Sequence, residues 1–181
     1  MSKASVKLIR LHTMSNEPNL GLLNMLLNGS KLSLAPYDEK CLEKSWEWLN
    51  DPEIRFLTMT PEFSKDDQRR FFNSLATRSD YLIWAVIFDG TPIGAAGLKN
   101  PRGNMAEYWG YIGEKKFWGG GLGRSMLALV EEKGRCAGFS SLDLKVLAAN
   151  ERALSLYRKC GYVVDADNSS DDVLRMIKRE I

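Results

Sequence analysis

Four glycines fall within five residues of the stretch Phe117-Trp118-Gly119-Gly120-Gly121-Leu122-Gly123-Arg124-Ser125. An extended segment runs into them and an apolar-periodic helix runs out. Glycine lets main-chain N–H groups come close to a ligand and takes positive φ without steric cost. The first N–H groups of the following helix lack intrahelical acceptors and lie at the positive end of its dipole. A strand-to-helix turn of this kind seats a phosphate or pyrophosphate; a plain glycine-rich surface turn is the bland alternative. The nucleotide versions fail on residue identity. A P-loop ending at Gly123-Arg124-Ser125 needs glycine where Trp118 stands and lysine where Arg124 stands. A dinucleotide fingerprint meets Arg124 or Met126 in place of its last glycine, depending on whether it starts at Gly119 or Gly121.

A second stretch, Asn150-Glu151-Arg152-Ala153-Leu154-Ser155-Leu156-Tyr157-Arg158-Lys159-Cys160-Gly161-Tyr162, follows a run that reads as a buried strand. The two together resemble the GNAT acetyltransferase superfamily, whose members move an acetyl group from acetyl-CoA to an amine. The family's cofactor loop reads Gln/Arg-x-x-Gly-x-Gly/Ala. Gly121 and Gly123 match it, and Trp118 replaces the usual Gln or Arg, as in the branch resembling ribosomal-protein and amino-sugar N-acetyltransferases. The family's second motif, Asn-x-x-Ala-x-x-x-Tyr-x-x-x-Gly-Phe/Tyr, matches at Asn150, Ala153, Tyr157, Gly161 and Tyr162. The resemblance covers roughly residues 31–178, and two motifs agreeing in order make it specific.

The resemblance implies a role for each residue. Main-chain N–H groups from Gly119 through Gly120, Gly121, Leu122 and Gly123 to Arg124 would hold the pyrophosphate of acetyl-CoA, with Arg124 or Ser125 adding a side-chain contact. The preceding strand, ending in Gly110-Tyr111-Ile112-Gly113, would part from its neighbour and pair with pantetheine along its freed edge. Gly110 suits a local bulge there. Asn150 would hydrogen-bond the pantetheine arm, or simply cap the helix that it opens. Tyr157 would protonate the departing thiolate; its alternative is a core aromatic. An N–H near Ile112 would stabilise the oxyanion, and no metal is called for. Glu107 is a candidate base, against the alternative of a solvated charge. Strand alternation places Glu107, Trp109 and Tyr111 on one face, bordering the acceptor. Acceptor recognition is expected from Trp46, Trp48, Arg55, Phe56, Met59 and the region 54–63, with packing as the alternative for Trp46 and an acidic neighbour for Arg55.

The elements needed to position these groups are legible from residue 31 onward. Leu32 and Leu34 alternate as a strand ended by Pro36. Asp38 caps a helix carrying Leu42, Trp46 and Leu49, which Asn50-Asp51-Pro52 stops. Ile54 to Pro61 reads as an irregular connection, and Ser64 with Asp67 opens a second helix. Tyr81 to Phe88, Ile93 to Leu98 and Met105 to Ile112 form a meander, with Asp89-Gly90 as its first turn. A helix from Leu122 toward Gly138, a strand from Ser141 to Leu147, a helix from Asn150 to Gly161 and a strand from Val173 to Ile177 complete the order. This predicts a single mixed α/β (α+β) GNAT-like domain over 31–181. Its central twisted sheet is largely antiparallel, with one parallel βαβ crossover at the glycine loop and helices on both faces. Residues 1–30 form an extension. Val6, Leu8 and Ile9 suit a short strand, and Leu20 to Leu27 suits an added strand, a helix or a homodimer contact.

Bulk properties remove other classes. The 181 residues carry a net charge of +2, which argues against nucleic acid or an anionic membrane surface as partner. Within that balance, Lys115-Lys116 lies close enough to the glycine turn to meet an anionic cofactor. The one histidine, His12, removes most zinc sites and Ser–His or Cys–His nucleophiles. Cys41, Cys136 and Cys160 have no metal-ligand spacing and suit reduced thiols. With no apolar span or signal pattern, a cytoplasmic protein is expected. The expected activity is direct acetyl transfer from acetyl-CoA to a small primary amine, an amino sugar or nucleotide-linked amino sugar. Protein N-terminal acetylation, a non-catalytic acyl-CoA-binding module and a P-loop protein are the alternatives.

Overall fold

The structure, a computed structural model, describes residues 24–27 and 30–181. Eight strands form one sheet: β1 (Asn24–Leu27), β2 (Ser30–Pro36), β3 (Tyr81–Phe88), β4 (Thr91–Arg102), β5 (Met105–Ile112), β6 (Ser141–Leu147), β7 (Val163–Val164) and β8 (Val173–Arg179). Their order is β1-β2-β3-β4-β5-β6-β8-β7, and among the described residues only β5 and β6 run parallel. The helices are α1 (Glu39–Asn50), α2 (Pro52–Leu57), α3 (Lys65–Ser74), α4 (Leu122–Cys136) and α5 (Glu151–Lys159). This is the mixed α/β arrangement expected from the sequence. The expected strand at Val6 to Ile9 lies outside the described residues, whereas Asn24–Leu27 pairs antiparallel with β2 and extends the sheet at its edge.

Alternation along the strands sorts the apolar side chains into two cores. One face carries Leu32, Leu34, Val86, Leu98, Tyr108 and Leu144 against Met126, Leu129 and Val130 of α4 and Leu154 and Tyr157 of α5. The other carries Ala85, Ala95 and Tyr111 against Cys41 and Trp48 of α1 and Ile54 of α2. Helices therefore cover both faces.

Two local expectations need correction, and one short strand was not read. Residues 52–57 form a helix, not an irregular connection. Pro52 ends α1 and also occupies the first position of α2, where its missing N–H costs nothing, while the Asp51 carboxylate accepts from Glu53 N and Ile54 N. Six residues are too few to show a period. The two-residue strand β7 was invisible for the same reason. Gly110 carries no bulge: pairing with β4 runs unbroken from Lys99↔Glu107 to Gly94↔Ile112, and the irregularity falls between Lys99 and Arg102 instead.

The feature that shapes the site is a fork. β5 pairs with β6 only from Met105↔Ser141 to Tyr108↔Leu144. Beyond that, β5 stays with β4 to Ile112 and β6 stays with β8 to Leu147. At the closed end, the Asp143 carboxylate is 1% exposed and takes bonds from Arg102 and from Arg175 Nε at 2.7 Å. Arg175 also reaches Asp165 at 2.9 Å. The buried charge is thus paired twice, tying β4, β6 and β8 together below the opening.

Candidate active site

A continuous cleft of about 1080 Å³ runs from the glycine turn, along the opened fork, to the face of the sheet under α1–α3. At one end, Gly119 (φ +80°) and Gly121 (φ +83°) take left-handed backbone that a side chain would strain, and Gly121 caps α4 without a side-chain bond. Trp118, Gly119, Gly121, Leu122, Gly123 and Arg124 line this end, with Arg152 and Lys159 of α5 adding positive charge. Gly120, Gly113 and Ser125 do not line it. Ser125 is a buried residue of α4 itself, and Gly113 packs so tightly on Trp48 that a Cβ would lie 2.2 Å from the indole. Lys115 is also spoken for, held by Asp51 at 2.7 Å and Glu53 at 2.8 Å, while Lys116 lies over the Phe117 ring.

Along the fork, the β5 backbone is free. Gly113 N donates to Ile93 O at 2.7 Å, so odd-numbered residues of β5 face β4. Alternation then turns the N–H and C=O groups of Gly110 and Ile112 toward the departed β6. One of these four groups is occupied: Trp118 Nε1 donates to Ile112 O at 2.7 Å. The indole is sandwiched further by the Arg152 guanidinium, 4.0 Å from its centroid. Gly110 leaves space here, because a Cβ would come 2.7 Å from the Tyr108 hydroxyl and 3.1 Å from Ala96 Cβ.

Asn150 Oδ1 accepts from Ala153 N at 3.1 Å and so caps α5, while its amide nitrogen is left over at the cleft wall. Tyr157 is 9% exposed and reaches the cleft, and burial raises its phenol well above the ordinary value. Glu107, Trp109 and Tyr111 line the cleft together, as strand alternation requires. Glu107 is buried, accepting from Asn100 Nδ2 at 3.0 Å with Lys99 Nζ at 3.3 Å. Burial pushes its carboxyl up, but the Asn100 bond and the Lys99 ammonium outweigh that and hold it below the usual range.

Residues 42–162 match the family model for the Acetyltransferase (GNAT) family. The chain belongs to the GNAT acetyltransferase family. None of the curated proteins matches it. Among solved structures it is similar to spermidine N-acetyltransferase from Vibrio cholerae in complex with CoA and spermine, with a TM-score of 0.75 and 20% identity over 82% of this chain and 95% of that one. The N-acetyltransferase PseH of Campylobacter jejuni in complex with acetyl coenzyme A superposes at 0.64, with 18% identity over 83% and 99%. A domain from Methanocaldococcus jannaschii superposes at 0.72, with 17% identity over 83% and 99%. At such identities the likeness establishes the fold.

The remaining end of the cleft in this GNAT acetyltransferase is aromatic. Tyr37, Phe63, Phe71, Tyr81 and Trp109 line it, with Tyr81 packed on Phe71 (5.3 Å between centroids) and on Trp109 (5.6 Å). From the region 54–63, Ile54, Leu57, Thr58, Met59, Thr60, Pro61 and Phe63 contribute. Trp46 packs on Phe63, Arg55 pairs with Glu62 at 3.2 Å, and Phe56 points to solvent. Residue typing missed Tyr37, Phe71, Tyr81, Lys99 and Lys145. For Tyr81 and Ile83 the signal was there, in the period of two along β3; for Phe71 and Gln68 it was the i, i+3 spacing on α3. Among the described residues no group of three or more His, Cys, Asp or Glu side chains could hold a metal, and no helix is long and apolar enough to cross a membrane.

Proposed function

We propose that the chain transfers the acetyl group of acetyl-CoA directly to a primary amine of a small molecule, an amino sugar or nucleotide-linked amino sugar. The observation that carries this reading is the freed edge of β5, which lies between an anion-seating turn and an aromatic chamber. In this reading the pyrophosphate rests on the N–H groups of Gly119, Gly121, Leu122 and Gly123, the Arg124 N–H being taken by Gly121 O at 3.0 Å, and pantetheine pairs with Gly110 and Ile112 like an added strand. Asn150 Nδ2, the cap's spare donor, meets its amide. The neutral amine attacks the thioester carbonyl, and the Ile112 N–H, already turned into the gap, faces the developing oxyanion. Tyr157, kept protonated by burial, gives its proton to sulfur. Glu107 is ionised and accepts from the amine, whose proton leaves to it or to water.

Charge and ring chemistry favour the sugar class. Among the described residues, the two carboxylates that line the cleft already have partners: Glu107 has Lys99, and Asp67 has the Ser64 cap and Arg70. A polyamine or a basic peptide would find no unpaired carboxylate among them. Ring faces such as those of Tyr81 and Trp109 suit the apolar C–H face of a pyranose. Lys145 is exposed, lines the cleft and has no ion pair among the described residues, which suits the phosphate of a nucleotide-linked sugar. Homodimer formation and cytoplasmic residence fit this reading, as does an extension role for residues 1–30.

The test is a panel of amino sugars, nucleotide-linked amino sugars, polyamines and N-terminal peptides incubated with acetyl-CoA, followed by release of free thiol. Turnover greatest with the sugars is expected. Turnover greatest with peptides would move the acceptor to protein N-termini, and tight acetyl-CoA binding with no turnover on any amine would leave a binding module.

A further inference from the structure

Tyr108 has no part in the mechanism above, yet its position is unusual for a core tyrosine. It is the last residue of β5 paired with β6, so its side chain stands at the point where the two strands part. Its ring packs edge-on against Tyr157, 6.2 Å between centroids at 77°. The residue is 2% exposed and lines the cleft, and its hydroxyl makes no hydrogen bond among the described residues. That oxygen is not sealed either. The sealed side-chain polar atoms left without partners there are Trp109 Nε1 and Tyr162 Oη.

Tyr162 supplies the contrast. It packs 5.9 Å from the same Tyr157 ring, but it lies behind the cleft wall and its oxygen faces no opening. Tyr108 faces the fork, and the absence of a side chain at Gly110 is what lets its oxygen lie against the β5 backbone. A hydroxyl that opens on the cleft and has no protein partner is free to donate to water or to a ligand. In the acetyl-transfer reading the pantetheine arm runs back from the turn along Ile112 and Gly110, which brings its reactive end to the floor of the fork.

We propose that Tyr108 is a second catalytic hydroxyl, donating a hydrogen bond to the thioester sulfur from the floor of the fork while Tyr157 protonates it. This rests on the acetyl-transfer reading given above. The amine lone pair forms the new C–N bond and the C–S bond breaks with its electron pair going to sulfur. Tyr157 gives sulfur a proton and regains one from water, the amide nitrogen sheds its surplus proton to Glu107 or water, and Tyr108 keeps its own. Burial, joined by the neighbouring Tyr157, raises the Tyr108 phenol well above its ordinary value, so it remains a donor throughout the physiological range.

Tyr108→Phe, Tyr157→Phe and the double variant test this, each read by thiol release at saturating acetyl-CoA, with acetyl-CoA KM and Tm measured alongside. Phenylalanine keeps the ring and its packing. Tyr108→Phe should lower kcat about 10-fold, leave KM within about 2-fold and leave Tm unchanged, and the double variant's loss should differ from the product of the single losses because both donors serve one atom. Parental kcat in Tyr108→Phe overturns the proposal while the acetyl-transfer reading stands. A loss confined to KM or Tm also overturns it, since it would mark a packing role. A parent protein that neither binds acetyl-CoA nor cleaves its thioester overturns both.

Discussion

Trp118 Nε1 and the Ile112 carbonyl meet at 2.7 Å, and this one bond ties the glycine turn to the freed edge of β5. The indole takes one acceptor of that edge and leaves the Ile112 N–H for a ligand. It stands where the family pattern carries Gln or Arg. Its stacking on Arg152 places the guanidinium at the turn, so a cation is present there by another route.

Trp118→Phe should keep the ring under Arg152 and lose the bond. One neutral hydrogen bond contributes about 1 kcal/mol, so acetyl-CoA KM should rise roughly 5-fold with kcat nearly unchanged. Steady-state kinetics at saturating amine would show it. An unchanged KM would mean that the strand end holds its position without the indole.

Two glycines near the cleft should respond differently to alanine. At Gly121 a Cβ meets nothing within 4 Å, but φ is +83°, so Gly121→Ala should cost about 1–2 kcal/mol of strain and weaken coenzyme A binding measured by calorimetry. At Gly113 the backbone is ordinary but a Cβ would lie 2.2 Å from Trp48. Gly113→Ala should therefore cost about 1–3 kcal/mol in a denaturant melt through overpacking, and perturb cofactor affinity only indirectly.

Asn150 carries two separable functions. Asn150→Asp retains the oxygen that caps α5, so Tm should hold, while loss of the spare amide donor should raise acetyl-CoA KM about 5-fold if it meets pantetheine. Asn150→Ala should add a stability loss of about 1 kcal/mol from the missing cap. Equal KM in Asn150→Asp and the parent would leave Asn150 as a cap alone.

Glu107 is held below the 4.5 of a free glutamate by Asn100 and Lys99 against the opposing effect of burial. A carboxyl lowered on folding stabilises the fold above its unfolded value, and the contribution fades as pH falls through the lower folded value. The parent should thus lose more Tm between pH 6 and about 3 than Glu107→Gln does, as read by thermal melts across that range. Activity gives a second readout. If Glu107 accepts from the amine, Glu107→Gln should lower kcat/KM about 10- to 100-fold at neutral pH.

The turn from Trp118 to Ser125 and the helix opened by Asn150 were legible because their chemistry is local. Left-handed backbone ahead of a helix N-terminus is a local property, and glycines at 119 and 121 encode it within one turn of chain. The cap at Asn150, the small Ala153 and the ring at Tyr157 likewise lie on one helix. The fork was expected only through the family resemblance, since where β5 leaves β6 depends on strand register, which no single segment contains.

The acceptor end was decided in space. Tyr37, Phe71, Tyr81 and Trp109 come from four segments that sheet order and helix docking bring together, so their identities alone could not assign them to one wall. Pairing worked the same way: Lys115, which lies close to the turn in sequence, was captured by Asp51 and Glu53, and Glu107 acquired Lys99 from the adjacent strand. Main-chain chemistry is written in contiguous residues, whereas side-chain charge and ring contacts depend on what the fold sets opposite them.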